Sequence, residues 1–379
     1  MDINSQLDPV ELTRRLIGFN TINPPGNEKE CAYYLANILE NSGFNIKFFE
    51  FAKSRANLIA KLDGKPGKLP MCFTGHLDTV PLGRKKWKAD PFAGEIADGK
   101  IYGRGASDMK AGLAAMTVAA TRISKLKDVK GGIYLIICAS EETGSQGASQ
   151  IISSCDLSRK IGAIICPEPT SNYPLIGHRG AIWLEASTEG LATHGSSPEL
   201  GENAIYKAVE AITRLQKMDF QIDAHPILGI PSFNVGTIEG GIIVNEVPDF
   251  TNFKIDIRTI PGKTNDEYFE MVRDCLGSHV KVKRLADLQA VISDPECETV
   301  RMIYNVMEEI LGERPQPRGA KFFTDCSILS PACGDPPTVI LGPGEIKMAH
   351  ACDEYCYADR IEEASEALFE IGRRWVESE

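Results

Sequence analysis

Continuous apolar runs, each ending abruptly in charged residues, set the pattern of this chain. The run at 70–73 turns polar at His76 and Asp78, the run at 133–139 stops at Glu141 and Glu142, and the run at 163–166 stops at Glu168. Short unalternating runs of this kind predict strands covered on both faces. Helices are expected between them, one reaching about residue 126 after the glycine-rich turn at 103–112, and one over 148–154. Upstream, Asp8 and Pro9 open a helix, Gly43 stops a second, and strands are expected over 45–51 and 57–62. This βαβ alternation predicts a three-layer α/β/α domain around a mostly parallel sheet, with the acids gathered at one sheet edge.

After Ile176 the rhythm changes. Strands are expected over 181–187, 232–239, 250–258 and 280–285, and helices over 203–217 and 264–276. The order β-α-β-β-α-β is ferredoxin-like, so residues 178–290 read as an inserted α+β domain. Residues 1–177 and 291–379 then form one domain, completed by a helix to Leu311, a strand over 338–341 and an amphipathic helix over 361–376.

Composition narrows the function classes. Of 379 residues, 43% are hydrophobic, enough for a substantial core. The net charge of -11 argues against nucleic acid or an anionic membrane as partner, since both need a basic surface. No apolar run approaches the roughly 18 residues that cross a bilayer. The 11 cysteines include no CxxC pair and several lie in apolar runs, which points to free thiols in a reducing, cytoplasmic setting. The N-terminus has no basic region followed by an apolar core, so no signal peptide is expected.

The chemistry lies at the strand ends. His76, Asp78, Asp108, Glu141, Glu142, Glu168 and His350 all follow a predicted strand or sit in a glycine-rich turn. Each alone has an ordinary reading, such as a helix cap for Asp108 or a solvated loop for Glu141-Glu142. Together, two histidines and three carboxylates can hold two zinc ions if one carboxylate bridges them, leaving an open position on each. A further carboxylate must accept the proton of the attacking water. The adjacent Glu141 and Glu142 suit that division, one on the metal and one facing the substrate.

Several stretches carry a resemblance. Gly75-His76-Leu77-Asp78-Thr79-Val80-Pro81, Tyr102-Gly103-Arg104-Gly105-Ala106-Ser107-Asp108-Met109-Lys110, Glu141-Glu142, Pro167-Glu168-Pro169 and His350 with Asp353-Glu354 occur in order across nearly the whole chain. They resemble the M20 family of metallohydrolases, in the branch of acetylornithine deacetylase and succinyl-diaminopimelate desuccinylase. The resemblance implies two Zn2+ per subunit, with Co2+ or Mn2+ as substitutes. His76, Asp108 and Glu168 would hold one ion, and Glu142, His350 and the shared Asp108 the other. Glu141 would be the general base, Asp78 would orient His76, and the Asp108-Met109 peptide would be cis. The 178–290 domain resembles the family's lid and dimerisation domain, which implies a homodimer. In it, His194 matches a histidine that reaches the partner's site and stabilises the oxyanion, while Asn245 and Arg258 match positions that bind the substrate's carboxylate. Taken singly, His194 also reads as an ordinary lid histidine, and Arg258 as the ion-pair partner of Asp256. One departure stands out: the family's substrate-loop pattern survives here only as Phe323-Thr324-Asp325.

The expected function is therefore a dizinc amidohydrolase that deacylates a small N-acyl amino acid, N-acetylornithine being favoured. The rivals are desuccinylation of succinyl-diaminopimelate, dipeptidase or carboxypeptidase action, and a non-catalytic binding protein on the same scaffold.

Overall fold

The computed structural model describes residues 7–158 and 160–378. In chain order the first part runs α1 (Pro9–Ile17), α2 (Lys29–Asn41), β1 (Asn45–Ala52), β2 (Arg55–Asp63), β3 (Met71–His76), α3 (Ala111–Ile123), β4 (Gly132–Cys138), α4 (Gln146–Ser154) and β5 (Ala163–Cys166). The middle part runs β6 (Gly180–Glu189), α5 (Ala204–Gln216), β7 (Ser232–Gly240), β8 (Phe250–Thr259), α6 (Asn265–Leu276) and β9 (Val280–Leu288). The chain then returns through α7 (Glu298–Leu311), α8 (Cys326–Cys333), β10 (Thr338–Ile340) and α9 (Ala358–Glu377). Residues His178–Ala290, joined by Ala320–Phe323, make one compact unit, and the remaining described residues make the other.

The larger unit is built on a six-stranded sheet of order β1-β2-β4-β3-β5-β10. Its four strands β4, β3, β5 and β10 are parallel, and the β1-β2 hairpin adds an antiparallel edge. Every residue of β3 and β5 is buried, the physical reason their sequences do not alternate. On one face, Cys72, Ile136 and Ile164 pack with Ala148 and Ile151 of α4 and Leu329 of α8. Phe73 takes the opposite face, towards Gly372 of α9. There α3, buried at every position but Arg122, lies against α1 and α9. Its alanine-rich sequence lets the neighbouring layers approach closely.

Helix α8 is absent from the sequence expectation. It has only eight residues and Pro331 lies inside it, so its pattern is that of a loop. Burial of Leu329 and its cysteines against the sheet overrides the local preference.

The smaller unit is an antiparallel sheet of order β7-β8-β6-β9. One face carries α5 and α6 over a core of Ile182, Leu184, Phe253, Ile255 and Tyr268. Thr264 and Glu267 close a reciprocal cap at the start of α6.

Candidate metal centre

Parallel strands direct their carboxyl ends to one edge, and β3, β4 and β5 deliver His76, the Glu141-Glu142 turn and Glu168 there. Asp108 comes from the turn between Gly105 and α3, and its peptide bond to Met109 is cis, as the resemblance implies. Two glycines let that turn seat itself. A side chain at Gly75 would sit 2.5 Å from Met109 Cε, and one at Gly112 would sit 1.9 Å from the carbonyl oxygen of Pro167. The start of α3 thus touches the backbone just before Glu168. His350 follows β10 with a φ of 62°, a left-handed conformation that is uncommon for a residue with a side chain.

Asp108 divides its carboxylate between two groups. Its Oδ1 lies 3.2 Å from His76 Nε2, and its Oδ2 lies 3.6 Å from His350 Nε2. Glu168 Oε1 is 3.5 Å from His76 Nε2, and Glu142 Oε2 is 3.1 Å from His350 Nε2. The ligand atoms of His76, Asp108 and Glu168 lie within 4.8 Å of one another, and so do those of Asp108, Glu142 and His350. Glu141 is buried beside both clusters and is part of neither.

The electrostatics of this edge fit cations. Burial raises the carboxyl of Glu168, and Asp108 and Glu142 raise it further. Burial likewise raises Glu142, helped by Asp108, and raises Glu141, helped by Glu168 and Glu142. Burial alone would lower His76, yet Glu168 and Asp108 hold it well above the usual imidazole value. The hydrogen bond to Glu142 raises His350. Oε1 of Glu142 is buried with no hydrogen-bond partner among the described residues. Crowded carboxylates with an orphaned oxygen and two imidazoles form a nitrogen and oxygen donor set suited to a pair of divalent ions such as zinc.

Asp78 meets His76 closely through its backbone, with its carboxylate near the same ring nitrogen. His76 Nδ1 bonds the backbone carbonyl of Asp78 at 2.9 Å, while the Asp78 carboxylate stands 3.6 Å away. That carboxylate accepts the backbone N–H groups of Glu141 at 3.0 Å and Glu142 at 3.2 Å. Asn23 Nδ2 donates to it at 2.8 Å and also reaches Thr143 Oγ1 at 3.0 Å. One acid therefore anchors His76 by its backbone and the paired glutamates by its side chain.

Four residues given no role of their own at the level of sequence are buried in this region: Asn23, and Arg104, Asp325 and Glu354, which were quoted only as parts of motifs. Glu354 meets Arg104 and the Asp108 turn. Among the described residues, neither carboxylate oxygen of Asp325 meets a hydrogen-bond donor in good geometry, and burial pushes its carboxyl up to about 7. The signals were partial: an asparagine before Pro24-Pro25, and Arg104 and Glu354 inside motifs that carry the resemblance but name no role for them.

In the smaller unit, His194 and Asn245 are neighbours, because the amide of Gly195 donates to the carbonyl of Asn245 at 2.8 Å. His194 is exposed, and its Nδ1 accepts the amide N–H of Ser196 at 3.2 Å. Arg258 Nε donates to Asp256 at 3.0 Å, and its guanidinium lies 5.2 Å from the ring centre of Phe323. Its terminal nitrogens make no hydrogen bond among the described residues.

The comparisons with known proteins agree with this architecture. The family model described as peptidase family M20/M25/M40 matches residues 72–374. An acetylornithine deacetylase from Proteus mirabilis (strain HI4320) is 32% identical, over 96% of this chain and 95% of its own. A second acetylornithine deacetylase, from Photorhabdus laumondii subsp. laumondii, is 31% identical over 93% of this chain and 94% of its own. Among solved structures, the M20 family metallo-carboxypeptidase Sso-CP2 from Sulfolobus solfataricus superposes with a TM-score of 0.83. That match covers 99% of both chains at 19% identity, which speaks for a common fold.

Proposed function

The chain belongs to peptidase family M20/M25/M40, a family of metal-dependent hydrolases, and from that premise we propose that it is a dizinc deacylase of N-acyl amino acids acting on N-acetylornithine. The observation that carries the two-metal reading is the divided carboxylate of Asp108, one oxygen towards His76 and the other towards His350. His76, Asp108 and Glu168 would hold one ion, and Asp108, Glu142 and His350 the other. The choice of substrate draws on the two deacetylases that resemble this chain from end to end.

When bound, the ions supply Lewis acidity at the acyl carbonyl and make water a stronger acid. Glu141 takes the proton of the attacking water and passes it to the leaving amine, so that acetate and a free amino acid result. Its environment supports this role. Burial, with Glu168 and Glu142 adding to it, holds its carboxyl well above the usual range, the direction a base needs near neutral pH. Asp78 fixes the backbone of the same turn, and so keeps Glu141 and Glu142 in their separate tasks. His194 offers its Nε2–H to the oxyanion. Asn245 and Arg258 receive the substrate's α-carboxylate, Arg258 through its terminal nitrogens.

The smaller unit acts as the surface for pairing with a second copy. β7 is an edge strand, and Ile238, Ile242, Ile243, Val244 and Phe250 are exposed in and beside it. An apolar edge of this kind calls for a covering partner.

A substrate panel tests the reading. With zinc present, N-acetylornithine should exceed succinyl-diaminopimelate and dipeptides at least about tenfold in kcat/KM, a difference of about 1.4 kcal/mol. Glu141→Gln should lose about 10²–10⁴ of kcat while keeping its zinc. Preference for a dipeptide would reassign the enzyme as a peptidase, and full activity of Glu141→Gln would remove the proposed base.

A further inference from the structure

Glu354 is fully buried and lies four residues beyond His350. Its carboxylate gathers four donors from the turn that carries Asp108. Oε2 accepts from Arg104 Nη1 at 2.6 Å and from the amide of Gly105 at 3.0 Å. Oε1 accepts from the amides of Ser107 at 2.8 Å and of Asp108 itself at 3.0 Å. The two segments are also zipped through their backbones. Gly103 N donates to Glu354 O at 2.9 Å, Ser107 Oγ donates to Tyr355 O at 2.7 Å, and Tyr102 pairs with Tyr355. Arg104, 1% exposed, is itself held by the carbonyl of Pro81 at 3.1 Å and by the ring of Trp87.

This bonding is unevenly distributed over the site. Glu354 ties the bridging Asp108 to the segment that supplies His350, two of the three members of the second cluster. His76 is placed by β3, and Glu168 by the turn after β5. Neither is hydrogen-bonded to Glu354 or Arg104 among the described residues.

Resting on the two-metal reading, we infer that Glu354 and Arg104 are positioning residues that govern the second cluster, setting Asp108 against His350 so that this cluster binds its ion. The pair touches neither substrate nor reacting atoms. It acts through backbone amides, which fix where the Asp108 carboxylate points. Charge matters to this role, because four N–H groups converge on one carboxylate. An amide side chain in its place would turn an NH2 group towards one of those donors.

The test is zinc binding to the purified full chain, by calorimetry and by metal content after equilibration with buffered zinc. The parent should take up two ions. Glu354→Gln should keep the tighter ion within about threefold and bind the other about 10–100 times more weakly, the usual effect of losing an orienting partner. Its profile should match that of His350→Ala. Arg104→Lys, which spares the amide contacts, should show the same selective loss to a smaller degree, and keeps the question open to measurement if Glu354→Gln folds poorly. Glu370→Gln, which removes the hydrogen bonds from Arg373 and Arg374 in α9, controls for general destabilisation and should leave both affinities unchanged. Equal weakening of both ions in Glu354→Gln and Arg104→Lys would reduce the pair to a folding staple and overturn the inference. Two unchanged affinities would overturn it as well, with the two-metal reading intact. A parent that binds fewer than two ions would sink that reading, and this inference with it.

Discussion

At the scale of single residues, the site rests on carboxylates whose tasks differ by what faces each oxygen. Asp108 presents one oxygen to each histidine, so its loss should remove both ions, whereas loss of His350 should remove one. Metal content at fixed free zinc checks this: below one ion per subunit for Asp108→Ala, about one for His350→Ala. Asp78 lies in neither cluster, and its carboxylate holds the amides of Glu141 and Glu142. Asp78→Asn should therefore lower kcat about 10–100-fold while KM stays within about threefold. A rise in KM alone would place Asp78 in substrate binding. The strand-end acids were legible in the sequence because each closes an apolar run. Asn23, Arg104 and Glu354 were not legible as supports, since their partners lie 55, 250 and up to 250 residues away in the chain.

At the scale of elements, two features invert simple propensity. Replacing a helical glycine by alanine ordinarily adds up to about 1 kcal/mol to helix stability. In α3 the added methyl group of Gly112→Ala would meet the Pro167 carbonyl, so the substitution should instead destabilise by about 1–3 kcal/mol. Urea unfolding of the zinc-free protein measures this, and a gain in stability would show that α3 does not press on the strand end. In α9, hydrogen bonds from Arg373 and Arg374 hold the Glu370 carboxyl down at about 2, below its ordinary 4.5. A carboxyl lowered on folding stabilises above its unfolded pKa, and that contribution disappears as the pH falls towards the folded value. Glu370→Gln should thus melt below the parent at pH 6, with the difference closing between about pH 4.5 and 2. A difference independent of pH would point to lost packing instead. Most helices and strands were readable from periodicity to within a few residues. Helix α8 was not, because its stability comes from the sheet it covers.

At the scale of the whole molecule, bound metal should contribute to folding stability. Zinc held at about 100 times its Kd adds about 2.7 kcal/mol for one site, so chelation should lower the melting temperature reversibly. An unchanged melting temperature would mean that the clusters are occupied only weakly. If β7 and its apolar neighbours mediate pairing, Val244→Glu should shift the protein from dimer to monomer in sedimentation. The parent sedimenting as a monomer would remove that proposal. Mixing His194→Ala with Glu141→Gln should restore part of the activity if the histidine serves the opposite subunit, and no restoration would confine it to its own.

The order of apolar runs and their polar endings was sufficient, by itself, to specify the α/β layering, the ferredoxin-like order of the inserted segment and the residue types of the site. These follow from local rules: a strand covered on both faces does not alternate, and parallel strands bring their carboxyl ends to one edge. Tertiary structure alone decided how those residues divide the work. Which oxygen of Asp108 faces which histidine depends on contacts that bring distant segments together. So does the turning of the Asp78 carboxylate towards the glutamate amides and the cradling of the Asp108 turn by Glu354. Hydrogen-bond geometry is settled within a few tenths of an ångström, and periodicity along a chain carries no information at that resolution.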